Sequence, residues 1–278
     1  MASSYAQLMA ERFGLEVGDG GDAPAEGPLA AILSRRTHRR YKTDPIPDEL
    51  LRVLLACAQS ASSKSDLQQM SVLVVKDANL QSAIAGLLPA MPWIAEAPVF
   101  LVFLGDARRN RRICELHGRP HDNDTLDTYF NATVDGALAM QTFILAAEAA
   151  GLGCCPISHI RNHMAAIVEL LELPPGVIPI AGLCVGYPAG EGAISMRLPP
   201  SLVVHQDRYR DEQLEVEIEA YDRRRDAREP VAPEKQRNLN HYPAEEYCPW
   251  SVNVARQLSI RERPKFGAFI RKHGFALE

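Results

Sequence analysis

The chain has 278 residues, 46% of them hydrophobic, and a formal net charge of −5 at pH 7. This length and apolar content are sufficient for a packed domain, whereas the negative charge argues against a general nucleic-acid binder, which needs a basic face. No apolar run approaches the roughly 20 residues of a membrane span, and no signal-peptide pattern is present. We therefore expect a cytoplasmic protein without a membrane or nucleic-acid partner.

Helical patterns dominate the first part of the chain. A short helix precedes the stretch GDGGDAPAEGP, whose composition predicts a flexible linker. From Leu29 the stretch LAAILSRR predicts a helix that leads into a group of arginines. IPDELLRVLLACAQSA then predicts a second helix, because apolar residues recur at helical spacing after a proline and an acidic first turn.

Three β-branched or aromatic runs predict strands, namely MSVLVVKD, APVFLVFLGD and IPIAGLCVGYPAG. A weak helix around residues 78–88 and the helix NHMAAIVELLEL lie among them. The longest apolar helix, TYFNATVDGALAMQTFILAAEAAGLG, has small residues on several faces and ends near Gly151. This composition favours a buried position and allows a dimer interface. Because strands alternate with helices, a mixed α/β sandwich is favoured.

The last part of the chain differs in character. DRYRDEQLEVEIEAYDRRRDAREP mixes charges at helical spacing, which indicates a solvated helix or an arm over a partner. WSVNVARQLSIRERPKFGAFIRKHGFALE then predicts an amphipathic helix.

Four arginines fall within residues 35–40, namely Arg35, Arg36, Arg39 and Arg40. They repel one another unless an anion lies among them, and guanidinium groups bind phosphate well. The hydroxyl of Thr37 could complete such a site. The alternative is an ordinary solvated helix end.

The stretch SASSKSDLQQMSVLVV places hydroxyls and an amide in a loop before the first strand. Such loops carry ligand contacts in α/β folds. One helix joins this loop to the arginines, so we expect both segments to converge on one ligand with a phosphate and a polar ring edge. Flavin mononucleotide (FMN) fits that description.

Three stretches carry a resemblance to a known family: RRTHRRYKTDPIPDELLRVLLACAQSASSKSDLQ, AAEAAGLGCCPISHIRNHMAAIVELLELPPGVIPIAGLCVGYPA and MRLPPSLVVHQDRY. Together they resemble the flavin-dependent nitroreductases, most closely the larger bacterial NADPH-dependent nitroreductases and flavin reductases. The resemblance implies an α+β fold, a three-layer α/β/α sandwich with a mainly antiparallel central sheet, in a homodimer with FMN at the subunit boundary. It also implies an arm and linker over 1–27, an FMN-binding domain over 28–210, and a helical extension over 211–278 that wraps the dimer partner.

The resemblance implies a set of cofactor-binding residues and no metal. These are Arg35, Arg36, Thr37, Arg39, Ser63, Gln68, Met91, Pro92, Trp93, Pro156, Ile157, Ser158, His159 and Arg197. In this family Arg39 would lie beside the flavin N1 and O2, and Arg197 would be a second phosphate contact. The chain departs from the family at Ser195, where lysine is common, at Met91, where glutamine is common, and at Ser158–His159, where two glycines are common.

The implied activity is FMN-dependent NAD(P)H oxidoreduction, with NADPH (or NADH) reducing the flavin and a nitroaromatic, quinone or related acceptor reoxidising it in a ping-pong sequence. No catalytic side chain is required, because the flavin carries the chemistry. The alternatives are an NADPH-dependent flavin reductase, a specialised reductase of a heteroaromatic or halogenated metabolite, and a flavin-binding protein without turnover.

Other patterns carry weaker signals. His117 and His121 have a spacing that suits a metal on a helix, but Gly118 and Pro120 lie between them, so we favour an exposed loop. Cys154 and Cys155 could form a thiolate pair, although we favour packing residues and expect all six cysteines to be reduced. His159 either bonds to the backbone or touches substrate.

Overall fold

The computed structural model describes residues 3–16 and 23–278, so part of the predicted linker, residues 18–22, lies outside the described residues. The chain divides into two compact units. The first consists of Met1–Arg35 and Ile194–Glu262, and the second consists of Arg36–Ala193 and Arg263–Glu278. In the described part of the chain, no helix combines the length and the apolar character that crossing a membrane requires.

The regular elements are numbered in chain order. The helices are α1 (Tyr5–Phe13), α2 (Gly27–Ser34), α3 (Asp48–Gln59), α4 (Ala78–Gly86), α5 (Trp93–Glu96), α6 (Arg108–Leu116), α7 (Leu126–Ala149), α8 (Met164–Leu170), α9 (Pro200–Val203), α10 (Leu214–Arg228), α11 (Trp250–Leu258) and α12 (Phe266–Lys272). The strands are β1 (Met70–Val75), β2 (Val99–Asp106), β3 (Gly153–Ile157) and β4 (Val177–Gly186).

The second unit is built on a four-stranded sheet with the order β1-β2-β4-β3. Every neighbouring pair of strands is antiparallel. The two central strands, β2 and β4, are buried over almost their whole length, which explains why their sequences are continuous apolar runs and not alternating ones.

Helices cover both faces of this sheet. On one face Leu54 of α3 and Phe143 of α7 pack against Leu101 and Leu183 of the central strands. On the other face Ile84 of α4 and the residues of α5 and α8 pack against the same strands. The predicted three-layer α/β/α sandwich with an antiparallel sheet is therefore confirmed.

Most elements of the second unit follow the sequence patterns, but one strand does not. The acidic first turn of α3 is present, and Gly151 lies just beyond α7 with a φ of 78°, where glycine is favoured. Strand β3 was not predicted, because GCCPI is short and contains both glycine and proline. It forms because it completes the ladder beside β4.

The first unit is helical. The predicted solvated helix is α10, and it buries Tyr221 and Asp222 on one side. Tyr221 packs edge-on against Trp250 of α11, with ring centroids 5.2 Å apart. The amphipathic helical stretch predicted at the C-terminal end is interrupted, since α11 ends at Leu258 in the first unit and α12 begins at Phe266 in the second. Pro264 lies between them and cannot continue a helix.

Candidate functional site

Backbone pairing at the edge of the sheet fixes the position of Arg39. On its N-terminal side the His38 amide donates to the Cys154 carbonyl of β3 at 3.1 Å. On its C-terminal side Tyr41 forms a bridge with Pro188, just beyond β4. Arg39 is thus held between one contact to β3 and one contact to the segment just beyond β4, although it belongs to no strand itself.

The side chain of Arg39 lies over the ring of Trp93. Its guanidinium carbon is 5.6 Å from the ring centroid, which is cation–π geometry. Trp93 opens α5 and is half-buried against the core of the sandwich. Among the residues that the structure describes, no carboxylate forms an ion pair with Arg39, so its charge is available to an anionic ligand. This pair is the first of two residue clusters and is called the Arg39 cluster below.

Cys155 of β3 lies beside the first cluster. Its side chain is 2% exposed, and burial raises its pKa, against the opposing charge and hydrogen bond of Arg39. Cys184 is its partner on β4, and burial likewise raises the pKa of that thiol. A raised pKa keeps the Cys155 thiol neutral near pH 7, and the neighbouring Cys154 is fully buried, which supports the packing interpretation of these two residues over a thiolate pair. All six cysteines are free.

Ser63 belongs to a second cluster, which is organised by Asp135. The Ser63 hydroxyl donates to Asp135 Oδ2 at 2.8 Å, and the backbone amide of Gln69 donates to the same oxygen at 2.9 Å. The Lys64 amide donates to Asp135 Oδ1 at 3.2 Å. Asp135 is on α7 and is 3% exposed, and the sequence analysis did not single it out. Only the long helix, folded against the loop, brings its carboxylate there.

The loop 63–69 has a strained backbone. Ser65, Asp66 and Gln68 have φ values of 49°, 58° and 51°, in the left-handed region. Each costs on the order of 1 kcal/mol for a non-glycine residue. The loop borders a cleft of about 670 Å³, whose wall also includes Arg109 and Asp135. A strained loop that is held by a buried carboxylate and lies beside a cleft is typical of a ligand site.

The structure does not bring the two clusters together within one chain. One row across the sheet consists of Cys155, Cys184, Phe100 and Val75. The Arg39 cluster lies beside Cys155 of β3, and β3 is three strands away from β1. The Ser63 loop precedes Met70, which lies five residues along β1 from that row. Strand geometry places these corners about 20 Å apart. Within a single chain the two segments therefore do not meet, because α3 connects opposite corners of the sheet. Their convergence on one ligand stays a prediction that requires two chains.

Other predicted residues of the second unit lie closer to the Arg39 cluster. Met91 packs against the same core as Trp93. Pro156 and Ile157 belong to β3, and Ser158 and His159 begin a 3-10 helix directly after it. In this segment Ile157 is buried, whereas Pro156 and Ser158 are exposed. Pro156, Ser158 and His159 thus stay predictions as cofactor contacts, whereas the Ile157 side chain packs in the core.

Arg36 and Thr37 precede Arg39 in the same segment and are half-buried. The Arg36 guanidinium donates to the Glu191 carbonyl at 3.2 Å. Pro92, just before α5, is exposed.

In the first unit, Arg12 joins two predicted phosphate contacts. Its buried guanidinium donates to the Arg35 carbonyl at 2.6 Å and to the Ser195 carbonyl at 2.9 Å. Its own carbonyl accepts from the Arg197 amide at 2.8 Å. The Arg197 side chain is exposed and forms no ion pair with a carboxylate of the described residues. Arg12 was missed because a single arginine in a short helix gives no signal in sequence.

The histidine-rich stretch after α6 has an ordinary structural arrangement. Asp124 forms an ion pair with Arg111 at 2.7 Å. Within residues 3–16 and 23–278, no three side chains of histidine, cysteine, aspartate or glutamate are grouped as a metal ion would require.

The fold defines an α+β sandwich protein with polar clusters at two corners of its sheet, and comparison with known proteins gives its family. The model of the nitroreductase family matches residues 32–187, and the model of that family's C-terminal domain matches residues 195–278. The chain therefore belongs to the nitroreductase family, as its sequence resemblance predicted.

The chain is similar to several characterised and solved relatives. It is 32% identical to an FMN reductase [NAD(P)H] of Bacillus subtilis over 90% of this chain and 98% of the relative. It is also 32% identical to an oxygen-insensitive NADPH nitroreductase of Salmonella typhimurium over 89% of this chain and 98% of the relative. The structure of an NADPH:FMN oxidoreductase from Vibrio harveyi in complex with NAD⁺ matches with a TM-score of 0.77 and 28% identity, covering 90% of this chain and 99% of that one.

Proposed function

We propose that this protein is an FMN-dependent NAD(P)H oxidoreductase that reduces nitroaromatic, quinone or related electron-poor acceptors. The observation that carries the proposal is the Arg39–Trp93 pair, in which a cation with no carboxylate partner in the described part of the chain is held over an aromatic ring. Full-length similarity to relatives named as FMN reductases and NADPH nitroreductases supports it. Because the chain departs from the family pattern at Met91 and at Ser158–His159, the proposal names a class of acceptors and no single acceptor.

The residues of the first cluster fit FMN. When bound, FMN accepts a hydride from a nicotinamide and passes electrons to a second substrate, so no side-chain nucleophile is needed. Arg39 would stabilise negative charge on the reduced cofactor more than it would stabilise the oxidised form, and such a difference would accelerate the reaction. Trp93 holds the guanidinium in place and would border the substrate pocket. Arg35, Arg36 and Arg197 stay predictions as phosphate contacts.

The active form in this proposal is a homodimer in which each cofactor site uses two chains. The 20 Å separation of the clusters supports it, because the Ser63 loop of one copy can reach a cofactor held by Arg39 of the other. A stripe of exposed apolar residues on α7 offers the interface. It consists of Leu126, Phe130, Val134 and Leu138, which recur every four residues and are 50%, 61%, 37% and 41% exposed. Such a stripe on a soluble surface is typical of a partner contact.

The remaining expectations from the sequence are part of the same proposal. The FMN-binding domain would span 28–210, and residues 211–278 would wrap the dimer partner. The arm over 1–27 and the cytoplasmic location stay predictions.

Anaerobic titration with NADPH tests the proposal. The purified protein, saturated with FMN, should lose its flavin absorbance near 450 nm on adding one equivalent of NADPH, and a quinone or nitroaromatic should restore it. Continued NADPH consumption with excess acceptor would distinguish an enzyme from a flavin-binding protein, which allows one stoichiometric event at most. A protein that does not take up FMN at micromolar concentration would overturn the proposal.

The flavin reductase alternative uses the same site with free flavin as the acceptor. Two relatives named as FMN reductases support this alternative. Comparison of the maximal rates with free FMN and with a quinone at equal NADPH separates the two activities.

A further inference from the structure

Asp135 is a buried carboxylate with no place in the chemistry proposed above, yet it receives an unusual set of hydrogen bonds. It accepts hydrogen bonds from Ser63 Oγ at 2.8 Å, from the backbone amide of Lys64 at 3.2 Å and from the backbone amide of Gln69 at 2.9 Å. All three donors belong to the loop that the proposed dimer presents to the cofactor. A buried carboxylate with three donors is costly to remove, because its removal leaves the buried Gln69 backbone amide and two partly buried donors without their acceptor.

The same contacts determine what the Ser63 hydroxyl can do. The hydroxyl donates its proton to Asp135, and its oxygen already accepts a hydrogen bond from the backbone amide of Gln68 at 2.8 Å. Ser63 therefore cannot donate a hydrogen bond to a ligand while this arrangement holds. Its main contribution is to fix the loop, together with Asp135.

The loop needs such an anchor. The three left-handed residues Ser65, Asp66 and Gln68 store backbone strain, which persists only where the surroundings enforce it. The bonds at Ser63, Lys64 and Gln69 flank the strained residues on both sides. Without the carboxylate the loop would relax toward ordinary backbone conformations.

We infer that Asp135 is a positioning residue, which holds the loop 63–69 in the conformation that completes the cofactor site. The inference rests on the proposed function, in which this loop approaches FMN. It assigns to α7 a second task besides the dimer interface, since one turn of the same helix carries both Asp135 and the exposed Val134.

The test compares Asp135→Asn, Ser63→Ala and the double variant. Asp135→Asn should raise the dissociation constant of FMN for the apoprotein by roughly tenfold or more, as expected for hydrogen bonds to a buried charge. The effects should not add, because both residues act through one loop. Amide hydrogen exchange at Lys64 and Gln69 should accelerate in Asp135→Asn, and this readout requires no bound cofactor.

Asp222 offers a matched control. It is also a buried carboxylate, 6% exposed, that accepts from the hydroxyl and the amide of one serine, Ser251. Asp222→Asn should lower the thermal unfolding midpoint yet leave FMN affinity unchanged. Sedimentation velocity shows whether each variant keeps the association state of the wild type.

Wild-type affinity for FMN and unchanged loop exchange in Asp135→Asn would overturn the inference. If that variant does not fold, Ser63→Ala decides the matter, since unchanged affinity and exchange there give the same negative result. A wild-type protein that fails to bind FMN defeats the proposed function instead, and the exchange measurement still reports whether Asp135 holds the loop.

Discussion

The guanidinium carbon of Arg39 lies 5.6 Å from the centre of the Trp93 ring, although strand β1 separates the two residues in the chain. Arg39 reaches this position because its neighbours pair with β3 and with the segment beyond β4. The contact therefore depends on the assembled sheet, and it joins the charge and the aromatic surface that an anionic, flat cofactor requires.

Replacement of Arg39 tests the electrostatic part of the proposal. Arg39→Ala should slow flavin reduction by NADPH by roughly 10- to 100-fold, because a preorganised cation at the developing charge is lost. Stopped-flow absorbance at 450 nm measures this rate, and ultrafiltration measures FMN retention, which should also fall. Arg52→Ala, at an exposed position of α3, is the control for loss of a surface arginine. Equal rates in Arg39→Ala and wild type would show that the charge acts elsewhere.

Trp93 contributes through its ring. Trp93→Leu should raise the dissociation constant of FMN by about two- to fivefold, since a cation–π contact is worth about 0.5–1 kcal/mol. Trp93→Phe should give a smaller change because it keeps an aromatic face. Fluorescence titration of the apoprotein measures both, and Trp250→Leu, in the first unit, should leave the affinity unaltered. Identical affinities for the leucine and phenylalanine variants would contradict a role for the ring.

The neutral thiols of the sheet predict a loss of stability at alkaline pH. Burial raises the pKa of Cys155 and of Cys184 in the folded protein, so only the unfolded chain releases these protons as pH rises past about 8.5. Each thiol can then lower the free energy of unfolding by up to about 1.4 kcal/mol per pH unit. Urea titrations from pH 7.5 to 9.5 measure the slope. Cys184→Ala should give a shallower slope, and an unchanged one would count against this assignment.

In the proposed homodimer the apolar stripe of α7 is the contact, so one charged substitution there should separate the two copies. In a two-fold interface each residue is present twice, so Phe130→Glu would introduce two carboxylates at the contact. The variant should sediment as a monomer at micromolar concentration and should lose FMN. Leu116→Glu, which is also highly exposed at 78% but lies at the end of α6, should stay dimeric. A Phe130→Glu protein that remains dimeric with bound FMN would exclude this face as the interface.

Sequence patterns alone were sufficient for the elements whose signal is local. The helical spacing of α3, the charged pattern of α10, the glycine after α7 and the apolar runs of β1, β2 and β4 each follow from neighbouring residues, and the motifs around the arginines identified the family.

Tertiary structure decided the relationships between distant residues. Strand β3 exists only because β4 supplies its hydrogen-bond partners, since GCCPI has little strand character of its own. Arg12 and Asp135 are single polar residues in helices, and their importance appears only where folding buries them against carbonyl groups or loop amides. The separation of the Arg39 and Ser63 clusters likewise follows from the order of the strands. The sequence shows that one helix connects the two segments, but it does not show at which corner of the sheet each end of that helix lies.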